Sequence, residues 1–157
     1  MYLTEKGGVE NHAIDDGVSP LYAASHDGHM DVVRYLSEQG GVVNHATNDG
    51  FTPLYAASHN GHTDVVRYLT EQGAVVNHAD NDGFTPLYVA SQNGHMDVVR
   101  YLTEQGGVVN QARYNGASPL YAASQNGHIN VVRYLTEHGG AVHQARDHRS
   151  SPLYAAS

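Results

Sequence analysis

Residues 80–110 read DNDGFTPLYVASQNGHMDVVRYLTEQGGVVN, and this stretch recurs along the chain with few changes. The five prolines lie 33 residues apart, at positions 20, 53, 86, 119 and 152, each inside a Ser/Thr-Pro-Leu-Tyr block. Self-similarity at a fixed spacing of this size is typical of repeat proteins, in which each short unit buries its apolar face by stacking on the next. The sequence therefore predicts an array of stacked units without a central core.

Alignment on the glycine two residues before each Ser/Thr-Pro block divides the chain into four full units and two partial ones. The full units are predicted at residues 14–46, 47–79, 80–112 and 113–145, between a partial unit at 1–13 and another at 146–157. All 157 residues then form a single repeat domain. Because the chain begins partway through the pattern, we interpret it as a fragment of a longer array.

Each unit contains signals for two short helices. Thr85-Pro86 predicts a helix start, because a hydroxyl side chain caps the first turn and proline needs no N–H there. Gly94 suits the left-handed backbone that ends such a helix. The following stretch places two valines, a tyrosine and a leucine on one apolar stripe, which predicts a second helix closed by Gly106. The rest of the unit is a β-type run and an Asn-Asp-Gly turn.

Composition excludes several classes of function. The formal net charge is -8, and residues 1–78 carry -7 of it. With only eight Lys and Arg, the chain lacks the clustered cations that a nucleic-acid groove or an anionic membrane surface requires. There is no cysteine and no long apolar run, so we expect no disulfide and no membrane span, and a cytoplasmic or otherwise intracellular setting.

With these motifs in register, residues 80–110 resemble an ankyrin repeat, and the likeness extends over the whole chain. The resemblance implies an all-α solenoid of stacked helix pairs with β-hairpin or turn fingers, and the binding of other proteins rather than catalysis. Ankyrin repeats usually have His after Thr-Pro-Leu, where this chain has tyrosines such as Tyr55. A second tyrosine series, which includes Tyr68 and Tyr101, predicts aromatic contacts between neighbouring units.

Residues that differ between units are the candidates for partner binding, because the shared residues hold the stack together. The differences lie at the finger tips and at the ends of the first helices, which the resemblance places on a concave face. Phe51, Phe84 and Tyr114 are expected to form the centre of a groove that is acidic on its N-terminal side, since aromatic anchors are typical of interface hot spots. The candidate partner-binding residues are Asp15, Asp16, Asp27, Asn48, Asp49, Phe51, His59, Asn81, Asp82, Phe84, Gln92, Arg113, Tyr114, Gln125 and Arg146. In the alternative, the two phenylalanines pack only against neighbouring fingers.

Twelve histidines raise the question of a metal site. His29, His62, His95 and His128 follow the helix-ending glycine in every unit, so we expect them to bond loop backbone. A zinc site of three or four histidines is geometrically conceivable, but no carboxylate or cysteine repeats at a ligand spacing such as H-E-x-x-H. We therefore assign no metal or other cofactor. No isolated nucleophile or phosphate-binding loop singles out one unit, so we also expect no enzyme activity.

The sequence does not identify the protein or peptide that would bind. The alternative function is a scaffold or spacer segment of a longer array, with no partner of its own. The two ends lack polar capping units, which predicts weak end-to-end self-association. Asn44, Asn77 and Asn110 follow Val-Val as in ankyrin segments that asparaginyl hydroxylases modify, so hydroxylation of these residues is left open.

Overall fold

The computed structural model describes residues 16–143, in which eight α-helices follow one another in pairs. The helices are α1 (Pro20–Asp27), α2 (Met30–Glu38), α3 (Pro53–His59), α4 (Thr63–Glu71), α5 (Pro86–Gln92), α6 (Met96–Glu104), α7 (Pro119–Gln125) and α8 (Ile129–Glu137). We call α1, α3, α5 and α7 the first helices, and the others the second helices. This all-α stack of helix pairs confirms the predicted fold class.

The first helices begin where the sequence predicts. In α5, Thr85 Oγ1 accepts a hydrogen bond from the backbone N–H of Tyr88 at 3.1 Å, and Pro86 is the first helical residue. The other three first helices begin with the same kind of cap. Each is followed by a glycine with positive φ, such as Gly94 at 75°, a conformation that lets the chain reverse into the second helix.

The first helices pack side by side in one layer, and the second helices form the layer behind them. Neighbouring first helices contact each other more extensively than neighbouring second helices do. Small side chains permit this approach, because Ala56, Ala57 and Ser58 of α3 are buried between adjacent elements. The fingers are the turns that precede the first helices, at residues 47–51, 80–84 and 113–117, and the described part of the finger before α1 is residues 16–18. We call the free side of the first helices and fingers the first-helix surface.

Leucine and valine side chains fill the space between the two layers. Leu54 of α3 and Val65, Val66 and Leu69 of α4 are at most 1% exposed, and the next pair buries its corresponding residues equally. The apolar stripe predicted from the sequence is therefore the seam that joins each pair to its neighbours.

An asparagine ladder ties each helix pair to the next. Asn44 Nδ2 donates to the carbonyl oxygen of Gly73 at 3.1 Å, while its Oδ1 accepts from the N–H of Val75 at 2.9 Å. Asn77 and Asn110 repeat both bonds one and two pairs further on. The recurring asparagine thus saturates backbone groups across every described interface of this kind, which fixes the register of the stack.

The histidines after the helix-ending glycines also bridge between pairs. His62 Nε2 lies 3.0 Å from the carbonyl oxygen of His26, and His95 Nε2 lies 3.0 Å from that of His59. The expected bond to loop backbone is therefore wrong for these two histidines, because the ring reaches the carbonyl at the end of the preceding first helix instead. The ring packs tightly there, since a Cβ on Gly28 would lie 2.5 Å from His62 Nδ1.

The fingers contain no β-strand anywhere in residues 16–143, so the β-type run predicted before each turn does not form. Thr47 N–H donates to the carbonyl oxygen of Phe51 at 2.9 Å, and the fingers at 80–84 and 113–117 close in the same way. Arms of this length form one such bond per finger, which is too few for a strand ladder. Of the two finger forms that the family resemblance allowed, turns are the one present.

The second tyrosine series contacts arginines rather than other tyrosines. The Arg34 guanidinium carbon lies 5.5 Å from the ring centre of Tyr68, and that of Arg67 lies 4.7 Å from Tyr101. A third such pair follows. The predicted aromatic ladder is wrong for this series, since the long arginine of one pair reaches the tyrosine of the next and forms a cation–π contact instead.

Candidate functional site

An open groove of about 230 Å³ lies on the first-helix surface between α1 and α3. Its lining is largely aromatic, with Tyr22 and His26 from α1 and Phe51, Tyr55 and His59 from the following finger and helix. We call these five residues the aromatic groove. Concave surfaces lined by aromatic side chains with a few polar groups are the usual form of ligand and peptide sites.

The rings of the aromatic groove are ordered by helical spacing. Phe51, Tyr55 and His59 follow one another at intervals of four. Phe51 lies just before the cap residue Thr52, and Tyr55 and His59 belong to α3. The Phe51 and Tyr55 ring centres are 4.7 Å apart with an interplanar angle of 19°, and those of Tyr55 and His59 are 6.1 Å apart at 22°. On the opposite wall, Tyr22 and His26 lie 6.3 Å apart. The result is a rigid aromatic wall rather than a set of independent side chains.

Carboxylates give the groove a negative surrounding. Asp27 is largely exposed at the rim, and His26 Nδ1 lies 2.8 Å from its Oδ1. This hydrogen bond lowers the pKa of the Asp27 carboxyl, which keeps it charged. Asp16 and Asp49 are exposed on the adjacent finger tips.

Asp80 differs from the other carboxylates because it is only 4% exposed. Its Oδ1 accepts from the N–H groups of Asp82 at 2.8 Å and Phe84 at 2.9 Å, whereas Oδ2 is buried without a hydrogen-bond partner. Burial raises the pKa of Asp80. Burial also raises the pKa of Tyr55 above its usual range, and the carboxylates of Asp80 and Asp82 add to that rise while the Arg113 charge opposes it.

The aromatic groove does not continue unchanged along the array. At the next interface Phe84 meets Tyr88 edge to face at 5.1 Å, and the Arg113 guanidinium carbon lies 3.9 Å from the Phe84 ring centre. Val89 replaces the smaller Ala56, and both Val89 and Tyr88 are buried. Phe51 and Tyr55 therefore line an open groove, whereas Phe84 is covered by side chains of the protein itself.

The candidate partner-binding residues lie in two places on the first-helix surface, at the finger tips and at the ends of the first helices. The finger-tip candidates Asp16, Asn48, Asp49, Asn81, Asp82 and Tyr114 are exposed, and the helix-end candidates are Asp27, His59, Gln92 and Gln125. Phe51 and Phe84 belong to successive interfaces, no ring contact joins them to each other or to Tyr114, and Tyr114 is 83% exposed. Asp15, Arg146 and the two chain ends, with the self-association predicted for them, lie outside the described residues.

Sequence reasoning missed Tyr22 and Tyr55 as groove residues. The tyrosines belong to a series present in every unit, which suggests a role in stacking rather than in binding. The signal that could have found them is spacing, because Tyr55 lies four residues after Phe51 and four before His59.

Neither a cluster of metal-ligating side chains nor a membrane-spanning helix occurs in the part of the chain that the structure describes. No group of three or more His, Cys, Asp or Glu side chains in residues 16–143 is arranged to hold a metal ion. Over the same residues, every helix is too short or too polar to span a bilayer.

Comparison with known families gives a match over nearly the whole chain. A family model described as "Ankyrin repeats (3 copies)" matches residues 2–80 and again residues 75–147. No curated protein matches the chain.

Proposed function

Because this chain belongs to the ankyrin-repeat family, we propose that it binds a protein or peptide partner through its concave first-helix surface, with the aromatic groove at the centre. Ankyrin repeats are generally protein-interaction modules and are typically not enzymes. The proposed units keep the boundaries predicted from the sequence, with full repeats at residues 14–46, 47–79, 80–112 and 113–145.

The observation that carries this proposal is the stacked row of Phe51, Tyr55 and His59 facing an open groove. Large, rigid rings lose little conformational entropy on binding, so they contribute more affinity than flexible side chains of equal area. The asparagine ladder and the histidine bridges hold the neighbouring helices in place. A partner would therefore meet a preformed surface.

Around the groove, the exposed finger tips supply the polar rim that an interface core requires. We assign this rim to Asp16, Asn48, Asp49, Asn81 and Asp82. Further along the array, Gln92, Arg113, Tyr114 and Gln125 would extend the contact. An interface of standard size spans several units, so a bound segment would run across neighbouring fingers rather than occupy one.

The test uses peptides selected from a random display library on the wild-type chain. Their affinities are then measured for Phe51→Leu and for Tyr35→Leu, which alters an aromatic residue that is 57% exposed on a second helix. We expect Phe51→Leu to weaken binding at least tenfold and Tyr35→Leu to change it less than twofold. Thermal unfolding of both variants by circular dichroism controls for loss of fold.

Two outcomes contradict the proposal. If Tyr35→Leu weakens binding and Phe51→Leu does not, the partner uses the second helices. If repeated selections give no peptide above background, the scaffold or spacer alternative is favoured. The support for that alternative is that nearly identical asparagine hydrogen bonds join each helix pair to the next, and these bonds need no partner.

A further inference from the structure

The ring of Phe84, on the finger at residues 80–84, already has a cation over it. The Arg113 guanidinium carbon lies 3.9 Å from the Phe84 ring centre, and its Nε donates to the carbonyl oxygen of Asp82 at 3.4 Å. The planar guanidinium is weakly hydrated and stacks well on aromatic faces. This contact shows which chemistry a phenylalanine at this position of the finger accepts.

The same position one helix pair earlier lacks its cation. Phe51 lies 33 residues before Phe84, and the residue 33 before Arg113 is Asp80. Within residues 16–143 no arginine or lysine lies over the Phe51 ring. Position 80 instead carries a buried aspartate, whose Oδ2 has no hydrogen-bond partner. The Phe51 ring is therefore present without the cation that covers Phe84.

The surroundings of Phe51 favour a cation from outside. Its ring stacks on Tyr55 and lines an open groove with room for one long side chain. The residues near this interface include the exposed carboxylates of Asp16, Asp27 and Asp49. Negative charge around an aromatic pocket strengthens cation binding and repels anionic partners.

From this comparison we infer that the aromatic groove takes an arginine side chain of the partner, with its guanidinium over Phe51 as that of Arg113 lies over Phe84. The inference rests on the proposed function, since it names the chemistry of the segment that the groove binds. The partner is accordingly a basic, arginine-bearing peptide segment. The carboxylates around the groove select the positive charge, and the stacked rings select the flat guanidinium over a rounder ammonium group.

The first experiment measures fluorescence anisotropy of labelled hexa-arginine, hexa-lysine and hexa-citrulline peptides titrated with the whole chain at 150 mM salt. Citrulline has nearly the shape of arginine without its charge. We expect hexa-arginine to bind tightest, hexa-lysine about fivefold or more weaker, and hexa-citrulline weakest. Equal binding of arginine and lysine peptides would overturn the inference, because bulk acidity would then explain the attraction.

Matched variants locate the site. Phe51→Leu is expected to weaken hexa-arginine binding about fivefold to thirtyfold, whereas Phe84→Leu changes it less than twofold, since Arg113 already covers that ring. Asp80→Arg places an internal arginine where Arg113 stands one pair later, so it should fill the groove and abolish binding. Asp64→Arg makes the same charge change on α4 and should weaken binding only modestly.

Equal losses for Asp80→Arg and Asp64→Arg, or no loss for Phe51→Leu, would overturn the inference. Failure here is distinguishable from failure of the proposed function. If library-selected peptides lose affinity with Phe51→Leu but contain no required arginine, the groove binds a partner and only the guanidinium assignment is wrong.

Discussion

Replacing Asp80 by threonine is expected to stabilise the protein. Thr47 occupies the same position one helix pair earlier, where its Oγ1 accepts from the N–H of Phe51 at 3.1 Å and its side chain is buried. Threonine at position 80 would make the matching bond to Phe84. The change removes the buried Asp80 Oδ2, which has no partner, and also one hydrogen bond from Asp82 N–H.

The size of the gain follows from these two terms. A buried polar atom without a partner costs about 1–3 kcal/mol, and an ordinary hydrogen bond contributes about 0.5–1.5 kcal/mol. The free energy of unfolding should therefore rise by about 0.5–1.5 kcal/mol at pH 7. For a chain of this size, that corresponds to an increase in Tm of about 1–6 °C.

The gain should also depend on pH. Burial raises the pKa of Asp80 above its unfolded value of 3.8, so the folded chain takes up a proton more readily than the unfolded chain. The charged carboxylate destabilises the fold at pH values above the folded pKa, and this penalty disappears as the pH falls towards 3.8. The advantage of Asp80→Thr is accordingly largest near pH 7 and shrinks on acidification.

Urea unfolding followed by circular dichroism at pH 7 and pH 4 measures both effects. Asp82→Thr, which alters an exposed aspartate of the same finger, is the matched control and should change the free energy of unfolding by less than about 0.5 kcal/mol. The reasoning is refuted if Asp80→Thr is less stable than wild type at pH 7, or if its gain is the same at both pH values.

Three further predictions concern the ties between helix pairs. Asn77→Ala removes two inter-pair hydrogen bonds and should cost about 1–2 kcal/mol in urea unfolding, whereas the exposed helical Asn130→Ala should cost less than about 0.5 kcal/mol. Gly61→Ala combines a φ of 76° with a Cβ only 2.5 Å from His95 Nδ1, so it should cost about 2–4 kcal/mol. Gly127→Ala, at a φ of 74° and with no neighbour within 4 Å among residues 16–143, should cost only about 1–2 kcal/mol. Equal losses would contradict the steric account. Burial lowers the pKa of His95 below 6.5, so the unfolded chain binds a proton at this residue more readily than the folded chain, and stability should fall as the pH drops through 6.5. Urea midpoints measured between pH 7.5 and 5.5 should fall less for His95→Gln than for the wild-type chain. An identical fall in both would contradict the assignment.

The fold could be predicted from the sequence because its signals are local and repeated. Thr85-Pro86 predicts a helix start because the threonine hydroxyl caps the first turn and proline needs no N–H there. Gly94 predicts the point at which the chain reverses into the second helix. The finger backbone was harder, since a β-type run needs a partner strand to become a strand, and arms this short cannot supply one. Local composition does not reveal that limit.

The candidate site could be predicted only in part. The sequence singled out Phe51, which lines the aromatic groove, and Phe84, but it did not reveal their different environments. Whether Arg113 lies over Phe84, or Asp80 is buried, depends on contacts between residues about 30 positions apart, which no local pattern encodes. Tyr55 was missed for a related reason, because a residue repeated in every unit can stack helices at one interface and line a groove at another.

Nuclear magnetic resonance of the two phenylalanine rings tests the central proposal most directly, since Phe51 and Phe84 are the only phenylalanines in the chain. With ¹³C-labelled phenylalanine and tyrosine, the ring signals are followed while a library-selected peptide is added. Binding at the aromatic groove predicts large shifts for Phe51 and Tyr55, with small shifts for Phe84 and Tyr35. A saturable shift of Tyr35, with Phe51 and Tyr55 unchanged, would contradict the account.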